Sequence, residues 1–224
     1  MNAANRTMAH TPSLSRPGLL VIDVDSTLIE EEVIDQLGLA AGAGPQVAEI
    51  TARAMAGELD FAGALEERVG LLKGLDQSVF ERVHAGLHPS KGARELIASL
   101  HRHGWKVGVV SGGFHELVDM LAADLALDRC LANRLEVVDG RLTGRTLGPI
   151  ISKESKLQAL QAWAQAYGVG REQTVAMGDG ANDIPMIQWA GLGVAFCAKP
   201  VVRQAAQRHI DTRDLTALLD LLQR

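Results

Sequence analysis

Short apolar runs alternate along the chain with longer segments in which apolar residues recur at helical spacing. Buried strands are predicted at 18–22, 106–110, 174–177 and 191–196. Helices are predicted at 91–103, 114–126, 153–167, after 182 and twice near the C-terminus. Two β-like runs within 131–143 flank Asp139-Gly140 and predict a hairpin. The alternation predicts an α/β fold with a doubly wound parallel sheet, whose functional site lies where the strands end.

One long helical segment interrupts this alternation. From 28 to about 87, Ala, Glu, Leu and Arg dominate, 38–45 supplies a break, and Pro89 ends the pattern. Its simplest interpretation is a small α-helical cap inserted over the site. The predicted organisation is a flexible leader at 1–16, a catalytic core at 17–30 and 89–224, and a helical cap at 31–88.

The leader and the composition narrow the class of protein. Residues 1–16 are polar and lack the apolar centre of a signal peptide, although their arginines and missing acids leave a transit peptide as an alternative. A net charge of -5 and 4% aromatic residues argue against a nucleic-acid partner. No run approaches the ~20 apolar residues of a membrane span. Two distant cysteines without a CxxC pair indicate reduced thiols and a cytoplasmic location.

Two carboxylates, Asp23 and Asp25, follow the first predicted strand. Like charges this close repel each other unless a cation or a shared proton relieves them, and a divalent metal would do so. A carboxylate at the end of a strand is also well placed for nucleophilic attack. An ordinary acidic turn explains the same residues equally well when they are considered alone.

Three further clusters are predicted to reach the same edge of the sheet. Ser111-Gly112-Gly113 offers a hydroxyl and free amides to a phosphate, or is only a helix cap. Lys156 could neutralise phosphoryl charge, or is only a solvated helix residue. Asp179, within 178–183, could complete a metal site with Asp23, and oxygen ligands favour Mg²⁺. The order of these clusters, each near a predicted strand, is more informative than any one of them.

Together these motifs resemble those of the phosphatases of the haloacid dehalogenase superfamily. Within that superfamily, the chain is similar to the phosphoserine phosphatases. The similarity lies in the residues at 23–27, 111–114, 178–184 and 195–200 and in the cap segment 60–69. The similarity runs from Leu19 to the C-terminus, and it implies a Rossmann-like core. Pro185 departs from the serine common in the family, but it only flanks a motif. Some members carry an N-terminal regulatory domain, for which we expect no room in this chain.

The resemblance implies a mechanism and a set of residues. Asp23 would attack phosphorus, and Asp25 would act as general acid and then base. Mg²⁺ would lie between the Asp23 carboxylate, the Asp25 carbonyl and Asp179. Ser111, the Gly112 amide and Lys156 would hold the phosphoryl oxygens. Asn182 and Asp183 would shape the loop, Asn182 touching phosphate and Asp183 orienting Lys156 or a metal-bound water.

The resemblance also implies the substrate, L-phosphoserine, and the last step of serine biosynthesis. Arg68 would bind the substrate carboxylate and Glu32 its ammonium group. Met55 and Phe61 would form the wall of the pocket. Without the resemblance, the simpler interpretation is that Arg68 and Glu32 are surface charges and that Met55 and Phe61 belong to the core. The sequence leaves the oligomeric state open, a homodimer included, and it implies no macromolecular partner.

Three alternatives remain at this point. One is a related phosphatase or phosphotransferase acting on phosphohomoserine or phosphothreonine. Another is a signalling receiver phosphorylated without turnover, against which Asp25 and the cap argue. The third is an inactive binding module, against which the complete set of Asp23, Asp25, Lys156 and Asp179 argues.

Overall fold

A central sheet organises the protein. The computed structural model describes residues 11–55 and 58–223, with only the backbone of Met55. The described residues form seven strands: β1 Leu19–Ile22, β2 Lys106–Phe114, β3 Arg129–Val138, β4 Arg141–Leu147, β5 Thr174–Gly178, β6 Leu192–Phe196 and β7 Arg208–Ile210. Their order is β4-β3-β2-β1-β5-β6-β7, and all neighbours are parallel except β3 and β4. The predicted α/β fold is confirmed, including the hairpin.

Helices cover both faces of this sheet. They are α1 Val33–Ala40, α2 Gly44–Met55, α3 Phe61–Gly70, α4 Val79–His84, α5 Ala93–Arg102, α6 His115–Leu125, α7 Lys153–Ala166, α8 Ile184–Trp189 and α9 Pro200–Ala205. Along β1, Leu20 and Ile22 join one buried cluster while Leu19 and Val21 join another. Successive side chains of a strand point to opposite faces, so a strand that is apolar at every position must be buried on both. None of the described helices is both long and apolar enough to cross a bilayer.

Helices α1 to α4 occupy the region predicted to be the cap. Its two linkers lie side by side, since Ile29 pairs with Pro89 and the Glu30 amide donates to the His88 carbonyl at 3.0 Å. The cap also reaches the hairpin, where the Gly74 amide donates to the Leu142 carbonyl at 2.8 Å. One buried apolar cluster runs across cap and core, and their division into separate domains therefore stays a prediction.

The structure contradicts the predicted flexible leader over its last six residues. Residues 1–10 lie outside the described part of the chain, but 11–16 are packed. The Ser13 amide donates to Gln173 Oε1 at 3.0 Å, and Gln173 Nε2 donates to the Ser13 carbonyl at 2.5 Å. The Leu14 amide donates to the Gln223 carbonyl at 2.7 Å, and its side chain is buried. A polar segment is held in place here because a buried glutamine satisfies its backbone groups.

The end of the chain also differs from the prediction. Of the two closing helices, α9 is present, but the second is a 3₁₀ segment at Leu215–Leu221. The strand β7 lies between them and was not predicted. It has three residues, two of them exposed, and so short a strand shows no apolar alternation to recognise.

We expect Leu14→Ala to lower the free energy of unfolding by about 2 kcal/mol, because it removes buried methyl groups and leaves a cavity. Leu39→Ala is the matched control, since Leu39 is 62% exposed and surface changes cost roughly 0.5 kcal/mol or less. Urea unfolding of both variants measures the difference. Equal values would show that segment 11–16 does not contribute to the fold.

Candidate active site

The register of the sheet brings three of the predicted clusters together. Ile22, the last residue of β1, pairs with Val109 of β2 on one side and with Met177 of β5 on the other. The Asp23 amide extends this pairing by donating to the Met177 carbonyl at 2.9 Å. The end of β2, which includes Ser111, and the residues that follow β1 and β5 therefore meet at one edge, as the sequence predicted.

Lys156 contributes a buried positive charge to this edge. Its Nζ donates to Asp23 Oδ1 at 2.5 Å and to Asp183 Oδ1 at 2.7 Å, and the residue is fully buried. The Ser152 hydroxyl accepts bonds from the amides of 154 and 155 and so starts α7, which carries the lysine inward. Burial alone would lower the pKa of Lys156, but the two carboxylates outweigh it and raise that pKa. Lys156 is therefore a permanent cation, not a solvated helix residue.

Three carboxylates gather next to the lysine. Oxygens of Asp23, Asp179 and Asp183 lie within 4.8 Å of one another. Burial and the charge of Asp183 raise the pKa of Asp23 and of Asp179. A methyl group on Gly178 would come within 2.3 Å of Asp183 Oδ2, so glycine is what allows this carboxylate to enter. The donor set fits a hard divalent cation, which would relieve the repulsion.

Asp25 lies apart from that cluster. It belongs to a turn at 24–28, so the alternation of strand residues does not explain its direction. Its Oδ1 accepts from the Val33 amide at 2.7 Å, and its Oδ2 accepts from the Ser111 hydroxyl at 3.0 Å. Burial raises the pKa of Asp25, although both donors oppose the change. A fixed carboxyl group with a raised pKa is suited to proton transfer.

The C-terminal end of β2, where the register shifts between Val110 and Phe114, carries the residues predicted to hold phosphate. Ser111 Oγ accepts from the Gly113 amide at 2.7 Å, and the Gly112 carbonyl accepts from Asn133 Nδ2 at 2.8 Å. Asn133 is buried on β3, and its Oδ1 also accepts from the Ile151 amide at 2.8 Å. Asn133 thus links the end of β2 to the segment that leads into α7. Sequence reasoning missed Asn133, because a lone asparagine in a predicted hairpin carries no distinguishing signal.

The cap places charges of both signs near the site. Glu32 Oε1 accepts from the Ser26 hydroxyl at 2.7 Å, and burial together with the Asp25 charge raises the pKa of Glu32 to about 7. Arg68 is half-buried, and its Nε donates to the Ala64 carbonyl at 3.1 Å. Burial lowers the pKa of Arg68, while nearby Asp35 and Glu32 oppose that change.

The remaining predicted residues are placed as follows. A methyl group on Gly112 would lie 3.1 Å from Phe61 Cζ, so the cap ring closely approaches the end of β2. Asn182 is half-buried, and a methyl group on Gly180 would come within 2.4 Å of its Oδ1. The side chain of Met55 lies outside the described part of the structure.

A second group of metal-ligating residues lies at the start of α6, formed by His115, Asp119 and Cys130. Both ring nitrogens of His115 are already engaged there. Nε2 accepts from the Ala132 amide at 3.2 Å, which leaves the ring proton on Nδ1, 2.8 Å from Asp119 Oδ1. Burial and Asp119 raise the pKa of Cys130 to about 11, so its thiol stays protonated. We therefore interpret His115, Asp119 and Cys130 as a hydrogen-bonded structural cluster.

Comparison with known families decides the chain's membership. A family model described as haloacid dehalogenase-like hydrolase matches residues 20–188. The chain belongs to the haloacid dehalogenase-like hydrolases. The matched range includes Asp23, Asp25, Lys156 and Asp179, the residues that carried the resemblance in the sequence.

Comparison with individual relatives identifies the family within these hydrolases. A phosphoserine phosphatase from Streptococcus thermophilus is 58% identical over 205 residues, which are 92% of this chain and 95% of the relative. A structure described as a phospho-aspartyl intermediate analogue of phosphoserine phosphatase has a TM-score of 0.86 and 42% identity, covering 93% of this chain and 100% of its own. A substrate-bound phosphoserine phosphatase complex gives 0.87 and 41%, covering 93% and 99%. Within the hydrolases, this chain is a member of the phosphoserine phosphatase family.

We expect Lys156→Met to cost about 3 kcal/mol of unfolding free energy at pH 8 in EDTA, because buried carboxylates lose their cation. The cost should be smaller at pH 5. Without the lysine, the pKa of Asp23 rises further in the folded state, so the folded variant binds a proton that the unfolded chain has released, and stability falls as pH rises. Urea unfolding at both pH values measures this.

Lys153→Met is the control for this prediction, since the side chain of Lys153 is 58% exposed. It removes the same charge from the same helix without uncovering a buried carboxylate. If the two variants lose equal stability, or if the loss does not depend on pH, the buried charge of Lys156 does not neutralise the site.

Proposed function

We propose that this phosphoserine phosphatase family member hydrolyses L-phosphoserine to L-serine and phosphate through an aspartyl-phosphate intermediate on Asp23. The observation that carries the proposal is the pairing of Asp23 with the buried Lys156, beside a separately held Asp25. Lys156 opposes the rise in the pKa of Asp23 that burial and Asp183 cause, whereas Asp25 is held by an amide and a hydroxyl. Two carboxyl groups in different environments suit the roles of nucleophile and acid-base catalyst.

Two steps transfer the phosphoryl group. Asp23 Oδ attacks phosphorus while the bond to the serine oxygen breaks, and Asp25 gives its proton to that oxygen. Asp25 then takes a proton from water, whose oxygen attacks the aspartyl phosphate and regenerates Asp23. Lys156 lowers the repulsion between the phosphate dianion and the Asp23 carboxylate, which would otherwise prevent their approach.

The cradle and the metal position hold the phosphoryl oxygens. Ser111, the Gly112 amide, Lys156 and Asn182 are the proposed contacts. Asp23 and Asp179, with the Asp25 carbonyl, would hold Mg²⁺, and Asp183 orients Lys156 through the 2.7 Å bond. When bound, Mg²⁺ would supply positive charge to the phosphoryl oxygens.

The cap residues account for the choice of substrate. Arg68 presents a guanidinium for a carboxylate, and Glu32 presents a carboxylate for an ammonium group. Phe61, which lies over the Gly112 loop, and Met55 would exclude water from the ester. A phosphate ester without an amino-acid moiety leaves both charges without a partner and should be a poor substrate.

Three further expectations belong to this proposal. Action on phosphohomoserine or phosphothreonine is the alternative, because the same catalytic residues would serve any small phosphate ester. The free state of Cys130 and Cys197 supports a cytoplasmic location. The last step of serine biosynthesis is the pathway role that the substrate implies.

We expect steady release of phosphate from L-phosphoserine with Mg²⁺ and none with EDTA. Catalytic efficiency on p-nitrophenyl phosphate should be at least about a hundredfold lower, because it lacks both charged groups, and that on phosphothreonine about tenfold lower, because its extra methyl group must fit beside the ester. Asp23→Asn should abolish turnover of every ester. Equal efficiency on all esters would refute the substrate assignment, and an active Asp23→Asn enzyme would refute the nucleophile.

We expect a pH dependence that is specific to the amino-acid substrate. The pKa of Glu32 is about 7, so its carboxylate is ionised above this pH and is progressively neutralised below it. The kcat/KM for L-phosphoserine should therefore fall about tenfold per pH unit below 7, and that for p-nitrophenyl phosphate should not show this fall.

Glu32→Gln provides the control for the pH profile. Its kcat/KM for L-phosphoserine should be low and nearly constant between pH 6 and 8, while p-nitrophenyl phosphate is hydrolysed as by the wild type. A fall below pH 7 that persists in Glu32→Gln would assign the titration to another group.

A further inference from the structure

Ser26 connects the catalytic turn to the cap through an unusual backbone conformation. It has φ 56° and ψ 4°, the left-handed region that a side chain rarely adopts. Its amide donates to the Glu31 carbonyl at 3.1 Å, and its hydroxyl donates to Glu32 Oε1 at 2.7 Å. A residue in this conformation persists only where its surroundings hold it. The direction of Glu32 therefore depends on what holds Ser26.

Arg213, which is 187 residues away in sequence, contacts the turn that contains Ser26. Its Nη1 donates to the Ser26 carbonyl at 3.2 Å and lies 3.5 Å from Ser90 Oγ. Ser90 Oγ in turn donates to the carbonyl of Thr27 at 2.7 Å. Two successive carbonyls of the turn thus receive donors from outside it, and this fixes the peptide planes on either side of Thr27.

The arginine is itself anchored on the returning linker of the cap. Its guanidinium lies 5.8 Å from the centroid of the Phe196 ring. Next to it, Asp214 Oδ2 lies 2.9 Å from Lys91 Nζ, and the Leu215 amide donates to the Lys91 carbonyl at 2.8 Å. Arg213 is exposed, yet the two residues that follow it are bonded to Lys91. The C-terminal segment therefore contacts both connections between core and cap.

We propose that Arg213 is a positioning residue for substrate selection: it holds the Ser26 carbonyl, and Ser26 directs Glu32. The inference rests on the proposed function for the role of Glu32, but not for the contact itself. Arg213 contacts the turn at Ser26, whereas the catalytic side of the turn has supports of its own: Asp25 accepts from Val33 and Ser111, and Thr27 Oγ1 donates to Asp179. Loss of Arg213 should therefore disturb recognition of the ammonium group and leave phosphoryl transfer intact.

The kinetic test compares Arg213→Ala, Arg213→Lys and the control Arg208→Ala. Arg208 is an exposed arginine on β7 whose Nη1 donates only to the adjacent Gln207 carbonyl among the described contacts. Arg213→Ala should raise KM for L-phosphoserine about fivefold with kcat within twofold, and should leave KM for p-nitrophenyl phosphate unchanged. Arg213→Lys should recover most of the loss, and Arg208→Ala should behave as the wild type. Unchanged kinetics, or equal losses on both esters, would overturn the inference.

Hydrogen exchange tests the contact without any substrate. In Arg213→Ala, the amides of 26–33 should exchange at least about fivefold faster than in the wild type, because the turn loses a support. The amides of β2 should be unchanged, and Arg208→Ala should leave both segments as they are. If the wild type does not favour L-phosphoserine, the proposed function fails, and exchange at 26–33 still decides whether Arg213 holds the turn. Unchanged exchange there would refute the inference.

Discussion

The ion pair between Lys156 and Asp23 is the interaction on which the site depends. A fully buried lysine is stable only with negative partners, and burying a pair of carboxylates is costly without a cation. Each charge therefore requires the other. The pair fixes the start of α7 against the end of β1, although 133 residues separate the two in sequence. It places a carboxylate beside a fixed cation at a position where water is largely excluded.

Around this pair, glycines and backbone amides determine where the other groups lie. Gly178 makes room for Asp183, and Gly113 lies so close to Asp25 and Ser111 that a methyl group would come within 3.0 Å of both. These positions require the absence of a side chain, not backbone freedom. The site is consequently built from the ends of neighbouring strands, whose spacing is set by the sheet. The small glycines among them leave room for the functional side chains.

Much of this was predictable because the central strands are apolar on both faces and end in recognisable motifs. The resemblance located Asp23, Asp25, Ser111, Lys156 and Asp179. The register of β1 explains why Asp23, Ser111 and Asp179 meet, while α7 carries Lys156 to them. The sequence could not indicate the packing of 11–16, since Ser13 depends on the distant Gln173. Nor could it indicate Asn133 or Arg213, because each side chain has only two hydrogen-bond contacts among the described residues, both with residues that lie far away in sequence. The roles of the site residues stay proposals.

The contact between cap and hairpin has a consequence for the exposed side of the sheet. Strand β4 is an edge strand of the described sheet, and an edge strand offers unpaired amides and carbonyls to other chains. The cap segment at 74–77 occupies part of that position, through bonds between Gly74, Leu75 and Leu142 and between Gln77 and Gly140. The cap thus shields a surface prone to self-association, and any movement that lifted it from β4 would expose that surface.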